Sequence, residues 1–354
     1  MSLEPLLAWL RTGRQAPLRL DFPVGTALPD GRLDLCKSDL GPLGAKAVVE
    51  ALPHGGPVRH LLLGTDQLGD EGAAKATEGA IEAGASTIYL GCNGIGEGGA
   101  CTIATRIAAS PGVVHGLWLK RNPLGPSGLQ AIADLVATGN APATIDLVQT
   151  GVTAPILDDL VEALAATRVV RRLFLSGNPL GGAEALTKLV RDCGLEELYL
   201  SACQLGDRGA AYVRAGLNEG LKRLSVASNG ISAHAMTGLF DAAVLAGVEV
   251  LDLGRVRAAG VLDARDNRVD AAALAETLSA GPHQLRHLDL RSTGLDGRGS
   301  VKLLAGAERA VTATRYILGG GLPKRIKGKL GHLAADVPAL APHPDVAAIK
   351  SVHR

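Results

Sequence analysis

The chain has 354 residues, 47% of them hydrophobic, and a net charge of +1. With 36 basic against 35 acidic side chains, nothing steers the whole molecule toward nucleic acid or an anionic membrane, and no run of about 18 apolar residues exists to cross a bilayer. The apolar content suffices for a large core, and 46 glycines beside only two Trp, four Tyr and three Phe indicate many tight turns and few aromatic anchors.

Residues 2–13 read as an amphipathic helix with Ser2 as its N-cap and Pro5 in its first turn. Leu3, Leu6, Leu7 and Leu10 share one face. Leu18-Arg-Leu20 adds an irregular first strand. Residues 1–31 are therefore expected to form an N-terminal cap. The start Met-Ser-Leu-Glu-Pro has no basic region followed by an apolar run, so the chain is expected to be soluble and cytoplasmic. Five cysteines, Cys36, Cys92, Cys101, Cys193 and Cys203, match no zinc or redox spacing. They are read as reduced, small apolar core residues.

From residue 32 a unit of the form L-x-L-x-x-N-x-L-G-x-x-G recurs and leads each time into a helix. The starts are Leu33, Leu61, Ile88, Leu117, Ile145, Leu173, Leu198, Leu224, Leu251 and Leu288, separated by 28, 27, 29, 28, 28, 25, 26, 27 and 37 residues. The Asn site holds Asn93, Asn122, Asn178 and Asn229, or else Ser38, Asp66, Thr150, Cys203 or Thr293. These are small groups that bond backbone where the chain leaves a strand. Apolar pairs four apart follow: Val48/Leu52, Ile103/Ile107, Ile132/Val136, Leu160/Leu164 and Val213/Leu217. That spacing is helical, whereas the strand pattern alternates. Six buried aliphatic side chains at roughly 2 kcal/mol each do not offset ordering a whole repeat at roughly 1–2 kcal/mol per residue. A lone repeat does not fold, and its neighbours must supply the rest of the burial.

These repeats resemble the leucine-rich repeats of the ribonuclease-inhibitor type. The resemblance covers roughly residues 32–310. It implies an α/β horseshoe solenoid of about ten repeats, with a parallel sheet on the concave face and helices on the convex face. It also implies a protein-binding role. The cysteine-rich character of that family is missing, since only Cys203 occupies the Asn/Cys position. The Ran GTPase-activating proteins are similar in fold class and repeat length, but their tail is acidic and this one is basic.

The unit at Leu251 is longer than the others. About eleven extra residues fall near 254–264, and Leu262-Asp-Ala-Arg-Asp-Asn267 offers a second strand-like segment. Insertions of this kind often lie on a binding face. Repeats are expected over 32–314. Beyond them, Tyr316-Ile-Leu318 is read as a last incomplete strand. Lys324, Arg325, Lys327 and Lys329 form a basic cluster, and Pro338, Pro342 and Pro344 interrupt a partly extended tail. Residues 315–354 are expected to form a C-terminal cap and tail.

Enzyme motifs fail on context. Gly91-Cys-Asn-Gly-Ile-Gly-Glu-Gly-Gly99 occupies the slot that holds Asn122-Pro-Leu-Gly125 and Asn178-Pro-Leu-Gly181 in other repeats, so its glycines are repeat turns. Gly319 to Lys329 lacks P-loop spacing. His283 and His287 are four apart, but in a loop and a strand they do not converge on a metal. No cofactor, no metal site and no catalytic residue is expected.

The residue between the two strand leucines points out of the core. Down the stack it is Asp34, Leu62, Tyr89, Trp118, Asp146, Phe174, Tyr199, Ser225, Asp252 and Asp289. Four of the nine aromatics fall in this column. Exposed, clustered aromatics are typical anchors, although aromatics also suit strands and cover one another. Tyr89, Trp118, Phe174 and Tyr199 are therefore the candidate anchors, and Lys120, Arg121, Arg171 and Arg172 the candidate rim charges. Further basic groups, Arg59, Lys222, Arg223 and Arg291, line adjacent columns. The expected function is a non-enzymatic scaffold, monomeric, that binds a protein or peptide and neither nucleic acid nor membrane. The alternatives are a regulator of a small GTPase and a structural or assembly protein. The bias to Ala, Gly, Leu and Arg points to a bacterial genome.

Overall fold

The computed structural model describes residues 2–257, 262 and 264–352. The chain divides into two compact units. The first comprises residues 1–152, 162–170 and 342–354, and the second 153–161 and 171–341.

The first unit opens with α1 (Glu4–Leu10), whose Leu6, Leu7 and Leu10 are buried. Its N-cap is Leu3, with no side-chain cap bond, so Ser2 does not have the expected role. Next come β1 (Leu20–Asp21) and β2 (Thr26–Ala27), which pair antiparallel with each other. β2 also pairs antiparallel with β3 (Arg32–Asp34). The repeats proper alternate strand and helix: α2 (Gly41–Glu50), β4 (His60–Leu62), α3 (Gly69–Ala83), β5 (Thr87–Tyr89), α4 (Glu97–Ala108), β6 (Gly116–Trp118), α5 (Gly125–Ala137) and β7 (Thr144–Asp146). Strands β3 to β7 are parallel, with Leu33, Leu61, Ile88, Leu117 and Ile145 in register. α6 (Ala154–Thr167) follows β7.

In the second unit β8 (Arg172–Phe174), α7 (Ala185–Asp192), β9 (Glu197–Tyr199), α8 (Gly206–Gly216), β10 (Arg223–Ser225), α9 (Ala233–Leu245), β11 (Val250–Asp252), α10 (Ala271–Ser279), β12 (His287–Asp289), α11 (Gly297–Arg309), β13 (Arg315–Ile317) and α12 (Lys324–Leu333) succeed one another. β8 to β13 are parallel, with Leu173, Leu198, Leu224, Leu251, Leu288 and Tyr316 in register. The sheet thus continues one strand into the segment expected to be a cap. The basic cluster lies on α12. α13 (Pro344–Ala348) belongs to the first unit.

Two features hold each stack together. The central strand residues from Leu33 to Leu288 are buried to 1% exposure or less, because they face the inner sides of the helices, whereas Tyr316 of β13 is half-buried. The Asn sites then stitch one repeat to the next. Asn122 Oδ1 accepts from the backbone N–H of Asn93 at 2.8 Å and of Ile95 at 3.2 Å, and its Nδ2 donates to the carbonyls of Leu90 and Leu119 at 2.9 and 2.8 Å. Asn229 and Asn267 repeat the arrangement in the second unit. Four bonds from one buried amide satisfy backbone groups that the strand-to-loop turn would otherwise strand.

Asn267 does this for the long repeat, bonding Leu253 O from fourteen positions away. The extra residues therefore fall between the strand and the Asn, and residues 264–267 form no strand. Of the insertion, residues 258–261 and 263 lie outside the described residues. Cys36, Cys193 and Cys203 are buried as expected, whereas Cys92 and Cys101 are half-exposed, since their places in the turn and on α4 lie off the packed side.

Candidate binding face

Alternation along each strand sends its first and third residues to the side away from the helices. The third position carries the column singled out above. In the first unit Asp34, Leu62, Tyr89, Trp118 and Asp146 stand in register. In the second the sequence is Phe174, Tyr199, Ser225, Asp252, Asp289 and Ile317. The eight candidate residues thus divide equally. Tyr89, Trp118, Lys120 and Arg121 lie on the first unit, and Arg171, Arg172, Phe174 and Tyr199 on the second.

On the first unit Tyr89 is half-buried and Lys120 Nζ lies 5.2 Å from its ring centroid, a cation–π arrangement. Two glycines clear the space for the ring. A Cβ on Gly64 would fall 2.2 Å from Tyr89 Cε1, and one on Gly91 3.0 Å from its hydroxyl. Trp118 is not the exposed anchor expected, because only 2% of it is accessible. Its indole folds back over Gly116, where a Cβ would stand 3.2 Å from Nε1. Arg121 is exposed in a left-handed turn (φ 56°) and donates to Gln149 Oε1 at 2.8 Å. Beside Trp118, Asp146 is 3% exposed and accepts from the Val148 N–H at 2.8 Å. Burial pushes its carboxyl up to about 6, against the pull of that bond and of Lys120.

On the second unit Phe174 and Tyr199 stack face to face, their centroids 4.2 Å apart and their planes 6° from parallel. The Tyr199 hydroxyl donates to Glu197 Oε2 at 2.7 Å. Arg172 is 6% exposed, so it is no rim charge. As the first residue of β8 it lies on the sheet itself, 3.7 Å from Glu196. Arg171 is exposed, and it holds Glu196 at 3.1 Å and the Gly194 carbonyl at 3.0 Å.

The column also leads into a cavity that sequence reasoning missed. It measures about 230 Å³ and is lined by Tyr199, Ser225, Asp252, His287, Asp289 and Leu340 among others. Asp289 is clamped by Arg291, whose Nη2 lies 2.6 Å from Oδ2. Ser225 Oγ donates to Asp252 at 2.8 Å. Burial, then the charge of Asp289, raises the Asp252 carboxyl above its ordinary value. Among the described residues no cluster of three or more His, Cys, Asp or Glu could hold a metal, and no helix is long and apolar enough to cross a membrane.

Leu340 belongs to the segment that the sequence reads as a C-terminal cap and partly extended tail. In the second unit the Arg315 guanidinium donates to the carbonyls of Ala334 and Val337, His287 Nε2 bonds the Pro338 carbonyl at 3.0 Å, and Arg223 Nη2 donates to the Ala341 carbonyl at 2.6 Å. In the first unit Thr144 Oγ1 meets Asp345 at 2.8 Å, Arg32 Nη1 donates to the Lys350 carbonyl at 2.8 Å, and Asp34 accepts from the Ser351 hydroxyl and the Val352 N–H. Arg315, His287, Arg223, Thr144 and Arg32 are all first strand residues. The open face of each unit is therefore already in contact with the chain's own end.

Comparison with known proteins agrees with the repeat. A family model described as Leucine Rich repeat matches residues 193–213. The chain is 28% identical over 218 residues to NACHT, LRR and PYD domains-containing protein 5 of Bos taurus, covering 59% of this chain and 19% of that protein. It is 27% identical over 269 residues to the ribonuclease inhibitor of Sus scrofa, covering 74% and 58% respectively. In both cases the chain spans less than two thirds of the curated relative. Among solved structures, the leucine-rich repeat-containing protein LegL7 from Legionella pneumophila is 16% identical, with 83% of this chain and 95% of that one covered and a TM-score of 0.49. The Rad7–Elc1 complex of yeast gives 14%, 83%, 77% and 0.47. With repeats in register within each unit, buried central leucines and stitching asparagines, the chain is a leucine-rich-repeat protein of the ribonuclease-inhibitor type.

Proposed function

We propose that this protein is a non-enzymatic scaffold that binds a protein or peptide on the sheet face away from its helices. The Phe174–Tyr199 stack carries the reading. The repeat demands a leucine on either side of each column residue but nothing of the column residue itself, and rigid half-buried rings are efficient anchors because ordering them costs little. Tyr89 is the corresponding ring on the first unit, with Trp118 packed beneath the surface as its support. Lys120, Arg121 and Arg171 are placed to add charge-assisted bonds, and Arg172 to fix Glu196. The even charge of the chain favours a polypeptide over nucleic acid as partner, and a cytoplasmic setting suits its free thiols.

The test is affinity capture from native lysate with the intact chain and with the Phe174→Ala/Tyr199→Ala variant. The proposal expects at least one partner to be depleted more than 10-fold by the double change at unaltered thermal stability. Partners retained by that variant and lost on altering exposed helix residues such as Leu43 and Leu245 would overturn it.

A further inference from the structure

The contacts of residues 334–341 have a common chemistry. Four bonds reach the segment from the sheet, and all four end on backbone carbonyls, those of Ala334, Val337, Pro338 and Ala341. The donors are Arg315, His287 and Arg223, the first residues of β13 and β12 and of β10. These carbonyls run from the C-cap of α12 at Ala334, through the bend at Val337, into the irregular chain of Pro338 and Ala341, so the face recognises main chain rather than a particular side chain.

The grip is shallow. Ala334 and Val337 are buried, but Pro338, Ala339, Leu340, Ala341 and Pro342 are exposed, Leu340 to 43%. The cavity of about 230 Å³ beside Leu340 is lined by that side chain and not filled by it. A segment held by a few polar bonds and little apolar burial sits at the low end of local stability. The first unit shows the same economy independently. There, residues 345–352 are held by Thr144, Arg32 and Asp34, with Ala348 buried.

We infer that residues 336–341 are a displaceable built-in ligand of the second unit's open face, and that the partner of this face is a peptide that takes their place. The incoming peptide presents carbonyls where Val337, Pro338 and Ala341 now present theirs, and a side chain larger or deeper than Leu340 to the cavity lined by Tyr199, Ser225 and Asp252. The inference rests on the binding role proposed for this face. It adds that the face is self-occupied and therefore autoinhibited, with an effective local concentration of tail on the order of millimolar.

The experiment keeps the whole chain. A specific protease site is inserted between the exposed Ala335 and Asp336, the protein is folded intact and then cut, and a fluorescent synthetic peptide of residues 336–354 is titrated by anisotropy. The cut fragment is expected to exchange with the labelled peptide, and the body to keep its melting temperature after the fragment is removed by gel filtration. The uncut protein should bind the labelled peptide about 100-fold more weakly than the cut protein, and Arg223→Gln should weaken binding to the cut protein at least 10-fold. A fragment that never exchanges, or a body that unfolds once it leaves, makes the segment a structural cap and overturns the inference. Partner capture that depends on Phe174 and Tyr199 but is unchanged by cutting overturns it too, while leaving the binding role standing. Loss of that dependence in both cut and uncut protein overturns the binding role itself.

Discussion

The two faces of the sheet obey different rules. On the helix side the strand centres run Leu33, Leu61, Ile88, Leu117 and Ile145 in one unit, and Leu173, Leu198, Leu224, Leu251 and Leu288 in the other, all at 1% exposure or less. On the open side the residues in register change character along each unit: Asp34, Leu62, Tyr89, Trp118 and Asp146, then Phe174, Tyr199, Ser225, Asp252 and Asp289. Each helix-side residue meets the same surroundings in the next repeat, so one solution recurs. An open-side residue is free of that requirement, and what it does instead is where individuality enters. The contrast predicts that helix-side and stitching changes act on stability, and open-side changes on binding.

The largest effect belongs to the stitches. Asn122→Ala removes four bonds at once and strands the Asn93 and Ile95 N–H groups away from water. Leaving buried donors unpaired costs about 1–3 kcal/mol each, so the loss should be roughly 3–5 kcal/mol in urea unfolding. A loss under about 1 kcal/mol would mean that leucine packing alone holds the repeats together.

The second prediction reverses the sign at the same site two repeats earlier. Asp66 is fully buried where the next repeat carries Asn93, and it accepts the Ser38 N–H at 2.8 Å through Oδ1. Its Oδ2 is buried with no hydrogen-bond partner among the described residues. Asn93 uses the corresponding atom to donate to the Leu63 and Leu90 carbonyls. A carboxylate oxygen cannot donate, so the proton is retained, and burial pushes Asp66 up to about 7. The folded state then binds a proton that the unfolded state has released between about pH 4 and pH 7. Stability from this group therefore falls as pH rises through that window. Asp66→Asn should stabilise by roughly 2–4 kcal/mol at pH 7 and by much less at pH 4. Equal gains at both pH values would show that Asp66 is charged in the fold.

How much of this was legible follows from the same contrast. All ten repeat starts became strand centres because the signal is the one residue that stacking repeats. The open-side column was legible as a list, but its covering was not. Alternation tells which way Trp118 points, whereas its burial depends on Gly116 two residues earlier leaving room for the indole. That pairing of a glycine with a bulky neighbour was the available signal, and Gly64 with Tyr89 repeats it across adjacent strands. The tail's place on the face had none. It is held through the carbonyls of Val337, Pro338 and Ala341, groups that every residue owns. The two-residue strand at Thr26–Ala27 was equally silent, being too short for any period to show.

The smallest effect sharpens what the open side is for. Gly64 has no left-handed backbone to protect, yet an added methyl would overlap Tyr89 Cε1. The ring is half-buried, so it has room to swing outward rather than strain the core. Gly64→Ala should cost no more than about 1 kcal/mol, in the range of ordinary surface changes, while the Tyr89 ring resonances move in aromatic NMR and the contact with Lys120, worth about 0.5–1 kcal/mol at an exposed site, is lost. If Tyr89 anchors a partner, this one methyl weakens binding 10-fold or more without touching any residue of the proposed interface. A stability loss like that of Asn122→Ala would instead make Tyr89 part of the framework, and the division between the two faces would fail at that position.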